Sequence, residues 1–499
     1  MSLYNNLDVR AGLVFGLALL STVLYLKSRR PKNFPPGPFT WPVVGNLIYL
    51  SGYHGDFMRA FRDLAGEYGS IIGLKLGSRP VVVLTSVDAI KEAFSKNTDL
   101  SARPSWLYFV RNVVYRKGAP RGVIWQNGQP WKDTRRFTLQ SLRDFGVGKR
   151  SIEERIIEEA QMMCSELAKH GSKPFDVTEL FQESVSNVIC SVCFGSRFEY
   201  SDTRFQGLMG YIRENVKTAS FISPVNFFPI LRIIPIHSWV NKVKDNLMAI
   251  ESFVWEQIED HRKSFDGAEI RDFVDLYLIK EQEGHGDDVI YSSINLQRVI
   301  TDLFIAGTET TSTTIRWVLV YLALHQDVQT RCQQQLDNNI GTGRPASLAD
   351  RANLPYVEAV LNETLRIAAV APLGIPHCAE RDTTLCGYHI PKDTIVIANI
   401  HMANSDPLYW QAPEDFRPER WLAEDSSFKR ADGLFSFSTG PRTCLGEMIA
   451  RNEIFLFVST LLQRFTVRIA DLKQGMGVSS KTGITYSPVA YRFVFSPRQ

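Results

Sequence analysis

One long apolar segment dominates the hydrophobic pattern of the chain. Leu296 to Leu324 is a mainly apolar stretch long enough for about eight helical turns, and small polar residues interrupt it in the middle, from Gly307 to Thr314. Threonine is a mediocre helix former, and a glycine inside a helix costs about 1 kcal/mol relative to alanine. The pattern therefore predicts a long buried helix with a polar waist that serves some purpose other than local stability.

Two shorter apolar runs near the N-terminus predict strands. Ile71 to Leu76 and Val81 to Thr85 are rich in β-branched residues and flank a turn at Gly77-Ser78. Most of the remaining pattern is helical, and the chain contains no internal repeat. We therefore expect a mainly α-helical protein with small β-sheets.

An uncharged run, Ala11 to Leu26, is followed at once by a group of basic residues. A helix of this length rises about 24 Å, slightly less than the bilayer core of about 27 Å in the endoplasmic reticulum. A cleaved signal peptide is the alternative, but the basic residues follow the run, and an Ala-x-Ala cleavage site is missing. Positive charge after the run keeps the chain that follows in the cytoplasm. We predict a short lumenal N-terminus (1–10), an uncleaved signal-anchor transmembrane helix (11–26), and a basic and Pro-rich linker (27–38), with the rest of the chain (39–499) in the cytoplasm.

Composition and charge exclude several classes of protein. The length of 499 residues alone would favour two or three domains. The net charge of +3 is too small to suggest nucleic-acid binding. The 7 cysteines are odd in number and scattered, which argues against a disulfide framework and for a reducing compartment. Cys190 and Cys193 form a Cys-x-x-Cys pair inside an apolar run, so we expect them to pack in the core and not to bind zinc.

The stretch from Phe437 to Gly446, FSTGPRTCLG, places one cysteine in a glycine-containing loop. A deprotonated Cys444 in such a loop could be the axial thiolate ligand of a haem iron. Gly440 would let the backbone pass close to a porphyrin, and Arg442 would donate hydrogen bonds to a propionate. The alternative is a buried structural cysteine.

This loop resembles the cysteine loop of the cytochromes P-450, and four other stretches resemble motifs of that family in the same order. They are Trp131-Lys-Asp-Thr-Arg135, Ala306-Gly-Thr-Glu-Thr-Thr311, Glu363-Thr-Leu-Arg366 and Phe416-Arg-Pro-Glu-Arg-Trp421. The resemblance extends from Phe34 almost to the C-terminus and is greatest to the animal microsomal members of the family-two clan. It implies the cytochrome P-450 fold, with haem between the long central helix and the cysteine loop, preceded by one transmembrane helix. It also implies that residues 39–499 form a single catalytic domain.

The resemblance implies haem b (iron protoporphyrin IX) as the cofactor, with Cys444 as the axial ligand of its iron. The residues implied in holding the haem are Cys444, Arg442, Trp131, Arg135, Arg103, His377, Phe437 and Gly440. Arg103 and His377 would reach the propionates from other loops; the alternative for a lone loop arginine or histidine is simple solvation. Glu363, Arg366 and Arg420 are implied to form a buried network that supports the loop. The alternative for this network is an exposed helical ion pair, worth about 0.3–0.5 kcal/mol.

The polar waist of the long helix is implied to handle oxygen. Glu309 and Thr310 would direct protons toward dioxygen, while Ala306 and Gly307 would leave space for it. The alternative is that the Thr310 hydroxyl bonds back to the Ala306 carbonyl and bends the helix.

Substrate contacts are implied by position only, and packing in the core is the alternative for each. The implied residues are Ile305, Ala306, Ala371, Leu373, Ile375 and Ile484. Their apolar side chains favour a hydrophobic substrate. Ser220 to Pro235, an apolar segment with three prolines, would either touch the bilayer surface and admit lipid-soluble substrate or form a packed loop.

These implications define the predicted function: a monooxygenase that inserts one atom of O2 into a hydrophobic small molecule such as a steroid, a fatty acid or a foreign compound. The chain has no Gly-x-Gly-x-x-Gly motif that opens a βαβ unit, so electrons must come from another protein. The resemblance implies a membrane-bound NADPH-cytochrome reductase as that partner, with cytochrome b5 as a second candidate. The candidate docking residues are basic: Lys132, Arg136, Arg143, Lys149, Arg150, Lys429 and Arg430. The alternative for these charges is an ordinary solvated surface. Two alternatives stay open: a haem-thiolate isomerase or dehydratase, and a non-catalytic membrane-anchored haem sensor.

Overall fold

The computed structural model describes most of the chain. The described residues are 15, 16, 19, 22, 29–116, 118–145, 150–232, 238–267, 270–285, 289–470, 480–482 and 484–498. The predicted transmembrane segment 11–26 therefore lies almost entirely outside the described residues, and the predicted lumenal segment 1–10 lies wholly outside them. Within the described part, no helix combines the length and the apolar character needed to cross a bilayer.

Helices make up most of the described residues. The α-helices are α1 (Leu47–Ser51), α2 (Phe57–Tyr68), α3 (Val87–Ile90), α4 (Gly128–Phe145), α5 (Arg150–Lys169), α6 (Thr178–Phe194), α7 (Thr203–Thr218), α8 (Ser238–Ser264), α9 (Phe273–Lys280), α10 (Ser293–Leu324), α11 (Gln326–Asn339), α12 (Pro355–Ala368), α13 (Ile400–Ala403) and α14 (Glu447–Arg464). Short 3₁₀ turns are Thr98–Leu100, Pro224–Asn226, Pro229–Arg232, Leu348–Asn353, Pro418–Trp421 and Gly440–Arg442, and π-helical turns are Lys91–Lys96, Val110–Val114 and Glu281–His285. The mainly α-helical class is confirmed.

The strands form small sheets. They are β1 (Ile71–Leu76), β2 (Arg79–Leu84), β3 (Phe175–Asp176), β4 (His377–Cys378), β5 (Thr383–Leu385), β6 (Tyr388–Ile390), β7 (Ile395–Ala398), β8 (Phe465–Ile469), β9 (Ser480–Thr482), β10 (Tyr486–Pro488) and β11 (Arg492–Pro497). The largest sheet has the order β1-β2-β7-β4, and a second has the order β3-β11-β8. By their packing, the described residues fall into two compact units: one within Met1–Tyr108, Phe221–Pro235 and Gly374–Asn399, the other within Phe109–Ser220, Ile236–Leu373 and Ile400–Gln499.

The first unit is built on the four-stranded sheet. β1 and β2 pair antiparallel with Ile71 opposite Leu84, which confirms the two predicted strands. β7 then joins β2 in parallel, so that this sheet combines distant parts of the chain. The Pro-rich stretch is packed onto the sheet: the Gly73 N–H donates to the Pro36 carbonyl at 2.6 Å. A Cβ at Gly37 would lie 2.0 Å from the Gly73 carbonyl oxygen, so only glycine fits there. The C-terminal end of the predicted linker is thus part of the folded unit.

The second unit surrounds α10. The Ser292 hydroxyl caps this helix by accepting from the Asn295 N–H, so the helix begins three residues before the predicted Leu296 and ends at Leu324, as predicted. Its side chains are buried on nearly all sides from Thr311 to Ala323, which is the pattern of a core helix. The helices α6, α7, α8, α12 and α14 pack around it.

The last strands close the second unit. β9 and β10 form an antiparallel hairpin with Ile484 in its turn. The Ile484 N–H donates to the Val216 carbonyl at 3.1 Å, and the Tyr486 N–H donates to the Val370 carbonyl at 2.8 Å. These backbone bonds fix the turn against α7 and the segment after α12.

The Cys-x-x-Cys pair lies in the core, as predicted. Cys190 and Cys193 are both buried in α6. Burial raises the pKa of each thiol above its ordinary value, so both stay protonated and act as small apolar side chains.

Candidate active site

The cysteine loop is held by its own backbone in a tight conformation. Gly440 has a φ of +76°, a left-handed value that favours glycine, and it begins the 3₁₀ turn Gly440–Arg442. The Cys444 N–H donates to the Phe437 carbonyl at 2.8 Å, and the Thr443 hydroxyl donates to the same oxygen at 3.3 Å. The loop therefore closes on itself between Phe437 and Cys444, just before α14 begins.

Cys444 is an exposed residue even though protein atoms surround it. Burial raises the pKa of the thiol, while a hydrogen bond from the Gly446 N–H and the charge of Arg135 act in the opposite direction. A thiol with a raised pKa is neutral unless a nearby cation compensates its charge, so a thiolate here needs a metal ion beside it.

Two arginines and a tryptophan gather beside the loop. The Arg442 guanidinium stacks on the Trp131 ring, 3.5 Å from its centroid, and donates to the Gln126 carbonyl at 2.8 Å. Arg135 donates to the Thr443 carbonyl at 2.6 Å and so joins α4 to the loop. The predicted residues Trp131, Arg135, Arg442 and Cys444 are thus brought together.

The Trp131 indole indicates whether these four residues fit a haem. Its Nε1–H is buried and has no acceptor among the residues that the structure describes. A buried donor is expected to have a partner, and a haem propionate is the acceptor that suits a donor flanked by two guanidinium groups. Cys444 would be the ligand of the haem iron. The residues present therefore fit haem b.

Two predicted haem residues lie in the first unit. Arg103 donates to the Ile375 carbonyl at 2.5 Å and to the Pro376 carbonyl at 3.0 Å, which holds the backbone just before β4. His377 stacks on Phe94, with a ring-centroid distance of 3.7 Å. Its Nδ1 lies 2.8 Å from the Leu100 carbonyl, so this nitrogen carries a proton. Their predicted contacts with a propionate stay predictions.

The waist of α10 leaves two small residues accessible. Ala306 is exposed although it lies in the middle of a core helix, and Thr310, one turn later, is half-buried. The Thr310 hydroxyl donates to the Ala306 carbonyl at 2.6 Å, so the back-bonding expected as the alternative is present. The residues remain α-helical throughout the waist. This bond uses the hydroxyl proton and leaves the lone pairs of the oxygen available to accept from water.

Glu309 faces a different neighbour. Its carboxylate accepts from the Gln182 side chain at 3.2 Å and from the Thr313 hydroxyl at 3.3 Å. Burial raises the pKa of this carboxyl, and the charge of Arg316 offsets part of the rise. The acid predicted to carry protons is therefore kept on the α6 side of the helix, in a site that favours its protonated form.

Gly307 corrects one prediction. A Cβ at this position would lie 2.9 Å from Ile189 Cδ1 and 3.0 Å from Cγ1. The missing side chain makes room for Ile189 of α6, so the close packing of α6 on α10 is what requires glycine here. The expectation that Gly307 leaves space for oxygen is wrong, because Ile189 fills that space; the same expectation for Ala306 stays a prediction.

The predicted substrate residues other than the exposed Ala306 are half-buried, as lining residues would be. Ile305 and Ile484 pack at the edge of the main core of the second unit. Ala371 and Leu373 follow α12 in the same unit, and Ile375 belongs to the first unit. Their contact with substrate stays a prediction.

Glu363, Arg366 and Arg420 form the predicted buried network. Glu363 Oε1 accepts from Arg366 at 2.8 Å and from Arg420 at 3.0 Å, and Oε2 accepts from the Trp421 indole at 2.9 Å. Burial alone would raise the pKa of Glu363, but the hydrogen bonds and charge of Arg366 outweigh it and lower the pKa. The alternative of an exposed ion pair is wrong, because Glu363 and Arg366 are both fully buried.

Comparison with known proteins decides which family this site belongs to. The family model described as Cytochrome P450 matches residues 35–495. The chain belongs to the cytochrome P450 family. Relatives include "Cytochrome P450 2B2" of Rattus norvegicus, 40% identical over 493 residues that cover 97% of this chain and 98% of the relative. "Cytochrome P450 2J2" of Homo sapiens is 38% identical over 492 residues, which cover 97% of this chain and 95% of the relative.

Membership of the cytochrome P450 family confirms three predictions. The chain has the cytochrome P450 fold, mostly helical with small sheets. Its cofactor is haem b, and it is a monooxygenase. The likeness to the microsomal family-two members is also confirmed, because the relatives carry 2B and 2J names.

Two residues that support the site were missed by motif analysis. Gln182 holds Glu309, and Asp302 accepts from the backbone N–H groups of Val123 and Ile124 in the loop that carries acceptors for Arg442. Each is a polar residue inside a largely apolar helical run, and that contrast was the available signal. The sequence does not tell which loop or helix such a residue will face.

Trp131→Phe is expected to weaken haem retention by about tenfold or more, because it removes a hydrogen bond to a charged group. The ring that stacks on Arg442 is kept. Transfer of haem to an apoprotein acceptor measures the loss rate. Trp317→Phe is the matched control: its indole donates to the Tyr486 carbonyl at 2.8 Å, away from the loop. Equal haem loss in both variants would contradict the assignment of Trp131.

Proposed function

We propose that the chain is a membrane-anchored haem-thiolate monooxygenase that inserts one oxygen atom of O2 into a hydrophobic small molecule, with electrons from an NADPH-dependent reductase. The observation that supports this most is the accessible Cys444 thiol inside the protein, set between Arg135 and the start of α14. When bound, haem supplies the redox chemistry at which dioxygen is reduced. The chain supplies the ligand of the haem iron, holds the haem and substrate in position, and delivers protons.

Proton delivery is the proposed task of the α10 waist. The Thr310 hydroxyl oxygen can accept a hydrogen bond from water, because its own proton is already donated to the Ala306 carbonyl. Glu309 is the neighbouring acid, and burial raises its pKa, which favours the protonated form that can donate a proton. We propose that Glu309 transfers a proton to a water molecule beside Thr310 and that the Thr310 hydroxyl orients this water.

The proposed docking surface for the reductase is one face of α4. Lys132, Arg136 and Arg143 are exposed, and their spacing of four and seven residues puts them on the same side of the helix. They line a hollow of about 550 Å³ whose other residues include Trp131, Arg135 and Pro441 of the cysteine loop. A positive face beside the metal ligand suits an acidic electron donor. Cytochrome b5 would use the same face.

Membrane attachment is proposed through residues 11–26, and apolar residues of the first unit support it. Exposed large apolar side chains there are Phe39, Trp41, Val43, Ile48 and Ile230. The segment that carries Ile230 packs on the β1–β2 turn, since Phe227 and Phe228 lie 3.4 Å from the position of a Cβ at Gly77. Such a surface suits the lipid interface of the endoplasmic reticulum, with the domain in the cytoplasm. We also propose that both units form one catalytic domain over 39–499, since the family model spans them.

The function is tested by reconstituting the protein in lipid vesicles with an NADPH-dependent flavoprotein reductase and a panel of steroids, fatty acids and foreign compounds. Hydroxylated product that requires both NADPH and O2 is expected. Rearrangement of peroxides without NADPH would identify an isomerase or dehydratase instead. Normal reduction of the haem without any turnover would favour the sensor.

Thr310→Val is expected to lower hydroxylated product by about 10²-fold while NADPH consumption continues and peroxide appears, because the variant loses a positioned hydroxyl but keeps its shape. Product and peroxide are measured together. Thr314→Val is the matched control, since its hydroxyl makes the same kind of back-bond, to the Thr310 carbonyl at 2.8 Å, in the buried part of the helix. Thr310→Ser should restore coupling. Equal losses in the two valine variants would argue against a role in proton delivery.

A further inference from the structure

A fully buried asparagine connects the Glu363–Arg366 ion pair to the cysteine loop. Asn404 follows α13, and its side chain has no solvent exposure. Its Nδ2 donates to the Arg366 carbonyl at 3.0 Å and to the Ser436 hydroxyl at 3.3 Å, and its Oδ1 accepts from the Phe435 N–H at 3.2 Å. No motif of the sequence includes this residue, and the oxygen and haem chemistry described above does not use it.

The hydrogen bonds of Asn404 permit one orientation of the amide. The Arg366 carbonyl can only accept and the Phe435 N–H can only donate, so the amide nitrogen and oxygen cannot be exchanged. Ser436 gives its own proton to the Leu365 carbonyl at 2.6 Å and therefore accepts from Asn404. The arrangement is fully satisfied, which is what makes a buried polar network rigid.

The network reaches the metal ligand within a few residues. Arg366 also donates to the Asn404 backbone carbonyl at 2.8 Å, so that Asn404 both donates to Arg366 and accepts from it. On the other side, Phe435 and Ser436 directly precede Phe437, whose carbonyl accepts the Cys444 N–H at 2.8 Å. The end of α12 is thereby connected to the base of the cysteine loop.

The cysteine loop needs such a support. Ser438 has a φ of +62° and Gly440 a φ of +76°, so two left-handed residues lie within three positions. For serine this conformation is unfavourable and persists only where the surroundings enforce it. Without the bonds at Phe435 and Ser436, the loop could relax to a more extended form and carry Cys444 away from its place.

We propose that Asn404, with Ser436, is a positioning residue that holds the cysteine loop in the conformation in which Cys444 binds the haem iron as a thiolate. Asn404 touches neither substrate nor haem in this proposal. It acts through Phe435 and Ser436 on the loop, and through Arg366 it couples the loop to the ion pair. The proposal goes beyond the monooxygenase function and does not depend on the identity of the substrate or of the reductase.

The test compares Asn404→Ala with Asn187→Ala in the haem-loaded protein. Asn187 is an equally buried asparagine of α6 with three side-chain hydrogen bonds, to the Glu159 carboxylate at 3.2 Å and to the Phe198 carbonyl and N–H at 2.9 Å each. Both variants should lose thermal stability. Only Asn404→Ala should convert the reduced carbon monoxide complex from the red-shifted thiolate band to the shorter-wavelength band, with the ratio of the two forms changed by about tenfold.

Ser436→Ala is a milder second variant in case Asn404→Ala does not fold. It removes one hydroxyl and leaves the Asn404 bonds to Arg366 and Phe435 in place. It should shift the same ratio in the same direction but less. The combined variant should shift it by less than the sum of the single effects, because the two residues share one network. The reduction potential of the haem should move with the ratio. An unchanged thiolate band in both Asn404→Ala and Ser436→Ala, with stability losses like that of Asn187→Ala, would overturn the proposal.

Discussion

Cys444→Ser is expected to abolish the red-shifted Soret band of the reduced carbon monoxide complex and to remove all monooxygenase turnover. Serine keeps the size of the side chain, but its hydroxyl stays protonated and cannot act as the electron-rich axial ligand that favours O–O cleavage. The loop should survive the change, because its bonds are made by the backbone of Phe437 and Cys444. The measurement is a difference spectrum recorded with carbon monoxide on the reduced protein.

Cys386→Ser provides the control for this variant. Cys386 is the other exposed cysteine among the described residues, and it lies in the turn between β5 and β6 of the first unit. Its replacement should leave the spectrum and turnover unchanged. A red-shifted band that persists in Cys444→Ser would show that another residue is the ligand, and the assignment of the site would fail with it.

Glu363→Gln is expected to destabilise the protein by about 3–5 kcal/mol, because it leaves the buried guanidinium of Arg366 without its anionic partner. Glu363 also accepts from the backbone N–H of Arg417 at 2.9 Å and from Trp421, so several donors lose a charged acceptor together. The result should be a lower midpoint of thermal unfolding and a smaller fraction of protein that contains haem. Both are measured on freshly purified protein.

Glu419→Gln is the matched control, because Glu419 pairs with Arg331 at the surface and both side chains are about half exposed. Surface ion pairs contribute about 0–1 kcal/mol, so this variant should be close to the parent protein. Similar losses in the two variants would mean that the buried network contributes no more than an exposed pair and would argue against its role in supporting the loop.

The sequence predicted the parts of the site that depend on residues close together in the chain better than the parts that depend on contacts between distant residues. The cysteine loop, the Glu363-x-x-Arg366 pair and the long helix are local patterns, and the structure contains each of them. The Gly307 prediction failed because the space near a glycine is decided by the element packed on it, here Ile189 of α6. The Asn404–Ser436 bond joins residues 32 positions apart. No periodicity or motif records such a pairing, because it arises only when the end of α12, α13 and the loop meet.

The fold shows the same difference between features set by neighbouring residues and features set by distant ones. Strands β1 and β2 follow from adjacent apolar runs and a turn between them, and both were predicted. The parallel partner β7 lies some 300 residues later, with Val81 opposite Ile395, and short strands of this kind gain their stability from the sheet that they join. The Pro-rich stretch was interpreted as a linker because prolines disfavour helix. Its packing against Gly73 depends on β1, which a reading of composition does not include.

The contact between Gly307 and Ile189 has a consequence for how the sequence can change over generations. An alanine at 307 would place a carbon 2.9 Å from the isoleucine side chain, so this substitution forces that side chain to shift unless position 189 has become smaller. In the reverse order, a smaller residue at 189 first opens a modest cavity that a later methyl group can fill. The cost of a change at 307 therefore depends on the residue already present at 189, and the two positions are expected to change together in descendants of this chain.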